Sequence, residues 1–163
     1  MSHHYHHPKT SMLLSEMDLI PITDTLVKKG SHTKILPALG IDFGTKFVGI
    51  ALASTPIAQP LTIAANNDEL LNYICTLIED YQVKTVVIGL SENRTARLTR
   101  QFVARLATTI TARIEYTDET LSTQVVRAKL QAGGRHLKPN ERIDHYAAAD
   151  FLQEWLESHK GMQ

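Results

Sequence analysis

Cysteine is nearly missing from this chain. A single thiol, Cys75, in 163 residues excludes an intramolecular disulfide and fits a reducing compartment. Long apolar runs are missing too: no stretch approaches the roughly 18 residues of a membrane span. Near the N-terminus Glu16, Asp18 and Pro21 interrupt Leu13–Ile22, so no secretory leader is expected and the expected location is the cytoplasm. Net charge is absent as well, with 17 Lys and Arg against 17 Asp and Glu. What is present is a 43% apolar fraction, enough at this length for one domain with a real core.

The charge that cancels overall does not cancel locally. Residues 35–93 carry two basic side chains, Lys46 and Lys84, against six acids. Residues 94–142 carry ten basic side chains against four acids, and residues 143–163 return to one against four. A basic middle between acidic flanks points to a polyanionic partner, although a solvated arginine face on helices would read the same way.

Residues 1–37 read as an N-terminal extension, with four histidines before Pro8 and a Gly30-Ser31-His32 linker, and residues 38–163 as the folded domain. Leu39–Phe43 and Phe47–Ala53 predict a β-hairpin around a short Gly-containing turn. Ile57–Ala64 predicts a third strand, at a sheet edge because Pro60 cannot donate to a ladder. A helix capped by Asn66 or Asn67 and running to Tyr81 follows from the spacing of Leu70, Leu71, Ile74, Leu77 and Ile78. Lys84–Leu90 is a β-branched run typical of a strand buried on both faces. A helix over Thr95–Thr111 with Leu98, Phe102, Leu106 and Ile110 facing inward comes next, then a strand at Arg113–Thr117. Ser122 would cap a helix ending at Gly133-Gly134, and Asn140 the last helix, with Ile143, Ala147, Phe151, Leu152 and Trp155 as its stripe. The order implies an α/β fold: a mixed five-stranded sheet, a three-strand meander followed by alternating helix and strand, with helices on both faces.

Asp42 is the only charge between Lys34 and Lys46 and lies where a strand should be buried. A buried carboxylate is costly unless paired, hydrogen-bonded or holding a cation. Asp118-Glu119 follow the fifth strand, and Asp144 opens the last helix, where the dipole alone would favour an acid. One sheet edge could gather these three segments, and clustered carboxylates call for a cation between them. Oxygen ligands suit Mg²⁺ or Mn²⁺, and two such ions would activate a water and stabilise the leaving oxygen of a phosphodiester. The basic segment would hold the phosphate backbone.

Five segments in order, Gly40-Ile41-Asp42-Phe43-Gly44-Thr45-Lys46, Ala58-Gln59-Pro60-Leu61, Val87-Ile88-Gly89-Leu90, Asp118-Glu119-Thr120-Leu121-Ser122-Thr123 and Ile143-Asp144-His145-Tyr146-Ala147-Ala148, resemble the YqgF/RuvX family over residues 38–158. The resemblance implies a ribonuclease-H-like fold and a Holliday junction resolvase or pre-16S rRNA nuclease. Carried over by position, it implies Asp42, Glu119 and Asp144 as the catalytic, metal-holding acids, with Asp118 as the alternate to Glu119. Lys46, Arg135, Lys138 and Arg142 are the candidate phosphate contacts. The chain departs from the family pattern at Phe47 and Thr120, where basic residues are usual, and in the loop Ser91-Glu92-Asn93-Arg94. It also has Ser54-Thr55 where an acid usually follows the second strand.

The expected function is thus a metal-dependent nuclease acting on pre-rRNA or branched DNA, without a membrane, and as a homodimer if its substrate is a symmetric junction. A non-catalytic nucleic-acid- or ribosome-binding module on the same fold is the alternative. Gly-Ile-Asp-Phe-Gly-Thr also resembles the first phosphate loop of actin-like and sugar-kinase ATPases. Those enclose a nucleotide between two such domains, more than this length supplies.

Overall fold

A computed structural model describes residues 34–90, 95–118 and 123–161. Its five strands are β1 (Ala38–Phe43), β2 (Phe47–Ala53), β3 (Gln59–Ala65), β4 (Thr85–Leu90) and β5 (Arg113–Asp118). They form one sheet in the order β3-β2-β1-β4-β5. β1 is antiparallel to β2 and parallel to β4, and β5 continues the parallel half. The expected meander and mixed sheet are both present. β3 lies at the edge, as Pro60 requires, and the β2–β3 register shifts where Pro60 meets Ala51.

Period-2 alternation divides the sheet into two unlike faces. Leu39, Ile41, Phe43, Val48, Ile50, Val86, Ile88 and Ile114 build a large-residue core on one side. It is covered by α1 (Leu70–Asp80) and α2 (Thr95–Thr109). The other side carries small residues, among them Ala38, Ala51 and Ala53, and receives α4 (Asp144–Ser158). α3 (Thr123–Ala132) packs on the start of α4 through Val126, Ile143 and Ala147. Ile35 is also buried against the α4 side, so the core extends a few residues before β1.

Helix ends account for most differences from the sequence reading. Asn67 does not cap α1 directly. Its Oδ1 accepts from the Glu69 N–H at 3.1 Å, and the helix begins at Leu70. The Asn66 amide instead donates to the Gly44 carbonyl at 2.7 Å, tying the end of β3 to the β1–β2 turn. Asn140 is not the α4 cap: Ile143 holds that position, and its carbonyl accepts from Tyr146 and Ala147. The proposed Ser122 cap lies outside the described residues. On α2, Leu98 is 39% exposed, and buried Thr99 and Val103 join Phe102 and Leu106 instead. Gly134 ends α3 as expected: at φ +86° it lets Arg135 N–H reach the Leu130 carbonyl at 3.0 Å.

α4 approaches the sheet as closely as backbone permits. A Cβ on Gly49 would collide with the Asp144 carbonyl group and lie 2.7 Å from the His145 nitrogen. A Cβ on Gly40 would lie 3.0 Å from both the Ala148 carbonyl oxygen and the Leu152 Cβ. Further along, the Trp155 indole N–H donates to Glu115 Oε2 on β5 at 3.1 Å, and His159 stacks on the indole.

Two stability measurements test this packing. Gly49→Ala should destabilise the fold by at least about 1–3 kcal/mol, the usual cost of overpacking. Emission from Trp155, the only tryptophan, makes denaturant titration a direct readout of α4 docking; an unmoved midpoint would mean α4 is not seated on β2. Glu115→Leu should cost about 1–3 kcal/mol by stranding the indole donor of buried Trp155. A midpoint equal to wild type in the same titration would assign the bond no role.

Candidate active site

Asp42 sits one residue from the end of β1, beside Gly49 on β2 and Gly89 on β4. Gly89 is in turn paired with Thr117 on β5, so Gly49, Asp42, Gly89 and Thr117 form one row across the α4 face. Asp42 is half-buried and engaged by a neighbour. The glycines on both sides admit close neighbours from α4: a Cβ on Gly89 would lie 2.8 Å from the Phe151 ring. The Asp144 backbone lies directly over Gly49, the strand neighbour of Asp42. Two of the three expected acids, 42 and 144, therefore come to the same corner of the sheet from segments about a hundred residues apart. Asp118 ends β5 in register with Leu90. Glu119 and Thr120 lie outside the described residues, as do Ser91-Glu92-Asn93-Arg94. Among the described residues no three acidic, histidine or cysteine side chains cluster as a complete metal cage.

The expected phosphate contacts are not alike. Lys46 is exposed in the β1–β2 turn, and Lys138 is exposed in the loop between α3 and α4. Arg142 is committed elsewhere: Nη1 lies 3.3 Å from Asp144 Oδ2, and its guanidinium carbon is 3.4 Å from the centre of the Phe47 ring. Arg135 is also engaged, with Nη2 3.2 Å from Glu141 Oε1 and its guanidinium over the Tyr146 ring at 4.6 Å. The Lys138 backbone N–H and the Arg135 guanidinium hold the Glu141 carboxyl below the usual carboxylate range. Arg127 fastens the same loop from α3 by donating to the Glu141 carbonyl at 2.7 Å.

Sequence reasoning missed three side chains here. Phe47 serves as a platform for a cation 95 positions away. Tyr146 does the same for Arg135. His145 packs against Tyr146 with ring centres 4.3 Å apart, and its buried Nδ1 finds no hydrogen-bond partner among the described residues. Burial, reinforced by Arg135, lowers the pKa of His145 below the usual imidazole value. Only Phe47, an aromatic directly after an exposed turn lysine, carried a local signal.

A separate groove of about 410 Å³ opens between α1 and α2, lined by Phe43, Leu70, Leu98, Phe102, Gln101 and Arg105 among others. It lies on the opposite face of the sheet from Asp42, so this groove and the carboxylate corner are different places.

Comparison with known proteins gives this corner a context. The family model RuvX, described as a Holliday junction resolvase, matches residues 37–158. A relative from Aeromonas hydrophila named "Putative pre-16S rRNA nuclease" is 31% identical over 134 residues, covering 76% of this chain and 96% of its own. One of the same name from Roseiflexus sp. (strain RS-1) is 35% identical over 135 residues, covering 75% and 94%. Among solved structures, Thermus thermophilus RuvC and a Fowlpox virus resolvase in complex with Holliday junction DNA each align with a TM-score of 0.52 at 11% identity. Each alignment spans 77% of this chain, and of the other chain 96% for RuvC and 99% for the viral resolvase. These structures establish the ribonuclease-H-like fold. With a family model spanning the described domain and relatives above 30% identity along nearly their whole length, the chain belongs to the RuvX family.

Proposed function

We propose that this protein is a metal-dependent nuclease that hydrolyses phosphodiester bonds of structured nucleic acid, with the 5′ region of pre-16S rRNA as its substrate. The observation that carries the reading is the seating of α4 on Gly49, which sets Asp144 over the neighbour of Asp42. The names of the relatives supply the substrate class.

The donor set suits a hard divalent cation. Both acids offer only oxygen, and Mg²⁺ is commonly held by one or two carboxylates with water and substrate phosphate completing its shell. Asp42 and Asp144 would hold Mg²⁺ or Mn²⁺, joined by Glu119 from the segment after β5. When bound, such ions supply an activated water and stabilise the departing oxygen. The protein does the rest. Asp42 is fixed by strand pairing on both sides, so its carboxylate needs little reorganisation. Asp144 lies in the first turn of α4, where the helix dipole favours a negative charge. Lys46 and Lys138, exposed on two loops, attract the phosphate backbone and set its register.

Branched DNA is the second substrate reading, favoured by the description of the family model. A four-way junction has two-fold symmetry, so that activity would require a homodimer, whereas cleavage of an rRNA precursor would not.

Two experiments test the proposal. With Mg²⁺ or Mn²⁺ the full chain should trim an RNA carrying the precursor 5′ segment, and chelation should abolish the activity. Asp42→Asn should lower turnover by at least about 100-fold, since even outer-shell partners of a metal cost 10–100-fold when lost. Equal rates for variant and wild type would sink the assignment, and preferential cutting of a four-way junction by a dimer would replace RNA with DNA. In binding assays Lys46→Ala should weaken RNA affinity across sequences and reduce the salt slope by about 1. An unchanged slope would remove Lys46 from the interface.

A further inference from the structure

Arg142 makes two contacts that fit together poorly if its only task is to hold phosphate. It is ion-paired with Asp144, one of the acids assigned above to the cation, and its guanidinium carbon lies over the Phe47 ring, 3.4 Å from the centre. The side chains of Arg142 and Asp144 are 46% and 29% exposed, so the pair is neither deeply buried nor locked. We propose that Arg142 is a placeholder for the divalent cation at Asp144, seated on the Phe47 ring so that it yields the carboxylate without leaving the site. The inference rests on the metal-site reading above and assigns Phe47 as a positioning residue.

Magnitudes decide the direction of exchange. A dication at the usual 2.0–2.1 Å from a carboxylate oxygen attracts it roughly three times as strongly as a single charge at 3.3 Å in the same medium. An exposed ion pair contributes little, so displacing it costs little. A guanidinium stacked on an aromatic face keeps that attraction when its carboxylate is taken, because the ring holds it independently. The released Nη groups would then stand beside Asp144, available to a substrate phosphate. Phe47 is well placed for this role. It begins β2, two positions before Gly49, and Arg142 lies two positions before Asp144, which covers Gly49.

Calorimetric titration of MnCl₂ into the full chain at low ionic strength tests the idea without any turnover. Arg142→Gln should tighten Mn²⁺ binding about two- to five-fold, the range expected when an exposed competing ion pair is removed. Lys138→Gln removes the same charge from the neighbouring loop and should leave the affinity where it was. Phe47→Leu should tighten binding by a smaller factor in the wild-type background and by nothing in the Arg142→Gln background, because its effect passes through Arg142. Trp155 emission confirms that each variant is folded.

An Mn²⁺ affinity indifferent to Arg142→Gln overturns the placeholder role while leaving the metal site intact. Equal tightening by Lys138→Gln also overturns it, reducing the effect to bulk charge. A Phe47→Leu effect that persists without Arg142 overturns the assignment of Phe47. Failure of the wild-type chain to bind Mn²⁺ at all would overturn the metal-site reading itself, a different outcome from the other three.

Discussion

The backbone of α4 resting on Gly49 is the contact on which the candidate site depends. A helix usually meets a sheet through interposed side chains, with layers about 10 Å apart. Here glycines at 40 and 49, with alanines at 38, 51 and 53, remove those side chains on the α4 face. The opposite face carries Leu39, Ile41, Ile50, Val86 and Ile88 and keeps an ordinary apolar layer under α1 and α2. The asymmetry has a chemical result. On the thick side the sheet is covered by hydrocarbon, and on the thin side the first turn of a helix lies beside a strand carboxylate. Trp155 and Glu115 hold the far end of α4, so the helix is pinned at both ends and its N-terminal turn has little freedom to lift.

Charge distribution in the loop before α4 is also less simple than a basic surface. The excess of basic residues over 94–142 suggests an open cationic face. Much of it is spent internally. Lys129 pairs with Asp150, Arg135 with Glu141 and Arg142 with Asp144, while Arg127 serves two loop carbonyls. Each exposed pair is worth at most about 1 kcal/mol, so their collective effect is to shape the loop rather than to stabilise the fold. Among the described residues of this stretch, Lys138 and the exposed Arg97, Arg100 and Arg105 of α2 remain as positive surface, joined by Lys46 from the β1–β2 turn. The α2 arginines belong to the other face of the sheet, so the charge near the carboxylates is modest and local.

The sheet was legible because it is written in short-range pattern. Alternation in Leu39–Phe43 and Phe47–Ala53, the β-branched run before Gly89 and the proline of β3 each name a strand and its place. Asp42 stood out for the same reason, as an acid inside an apolar alternation. Helix ends were less legible, since Asn66, Asn67 and Asn140 are all competent caps and only tertiary structure decides which carbonyls and amides they serve. Asn66 was claimed by Gly44, from another strand pair. The pairing of Arg142 with Phe47 was not legible at all, because no local rule connects residues 95 positions apart. Glycine at 49 was visible, but its reason was not: the backbone that needs the space arrives from residues 144 and 145.

That long-range contact also explains why a departure from the family pattern need not mean a retired enzyme. Phe47 removes a cation from the β1–β2 turn, which by itself would weaken phosphate binding. Yet the register that sets Asp144 over Gly49 brings Arg142 over position 47, and a flat ring is the surface on which a guanidinium sits well. A lysine at 47 would repel Arg142, whereas phenylalanine accepts it, so the positive charge reaches the same corner from the loop before α4 instead of from β2. Because Arg142 and Asp144 sit side by side at the entry to α4, one packing contact positions both the carboxylate and the cation beside it. A substitution that lifts α4 from Gly49 would therefore disturb both together, which ties the electrostatics of the corner to two glycine hydrogens.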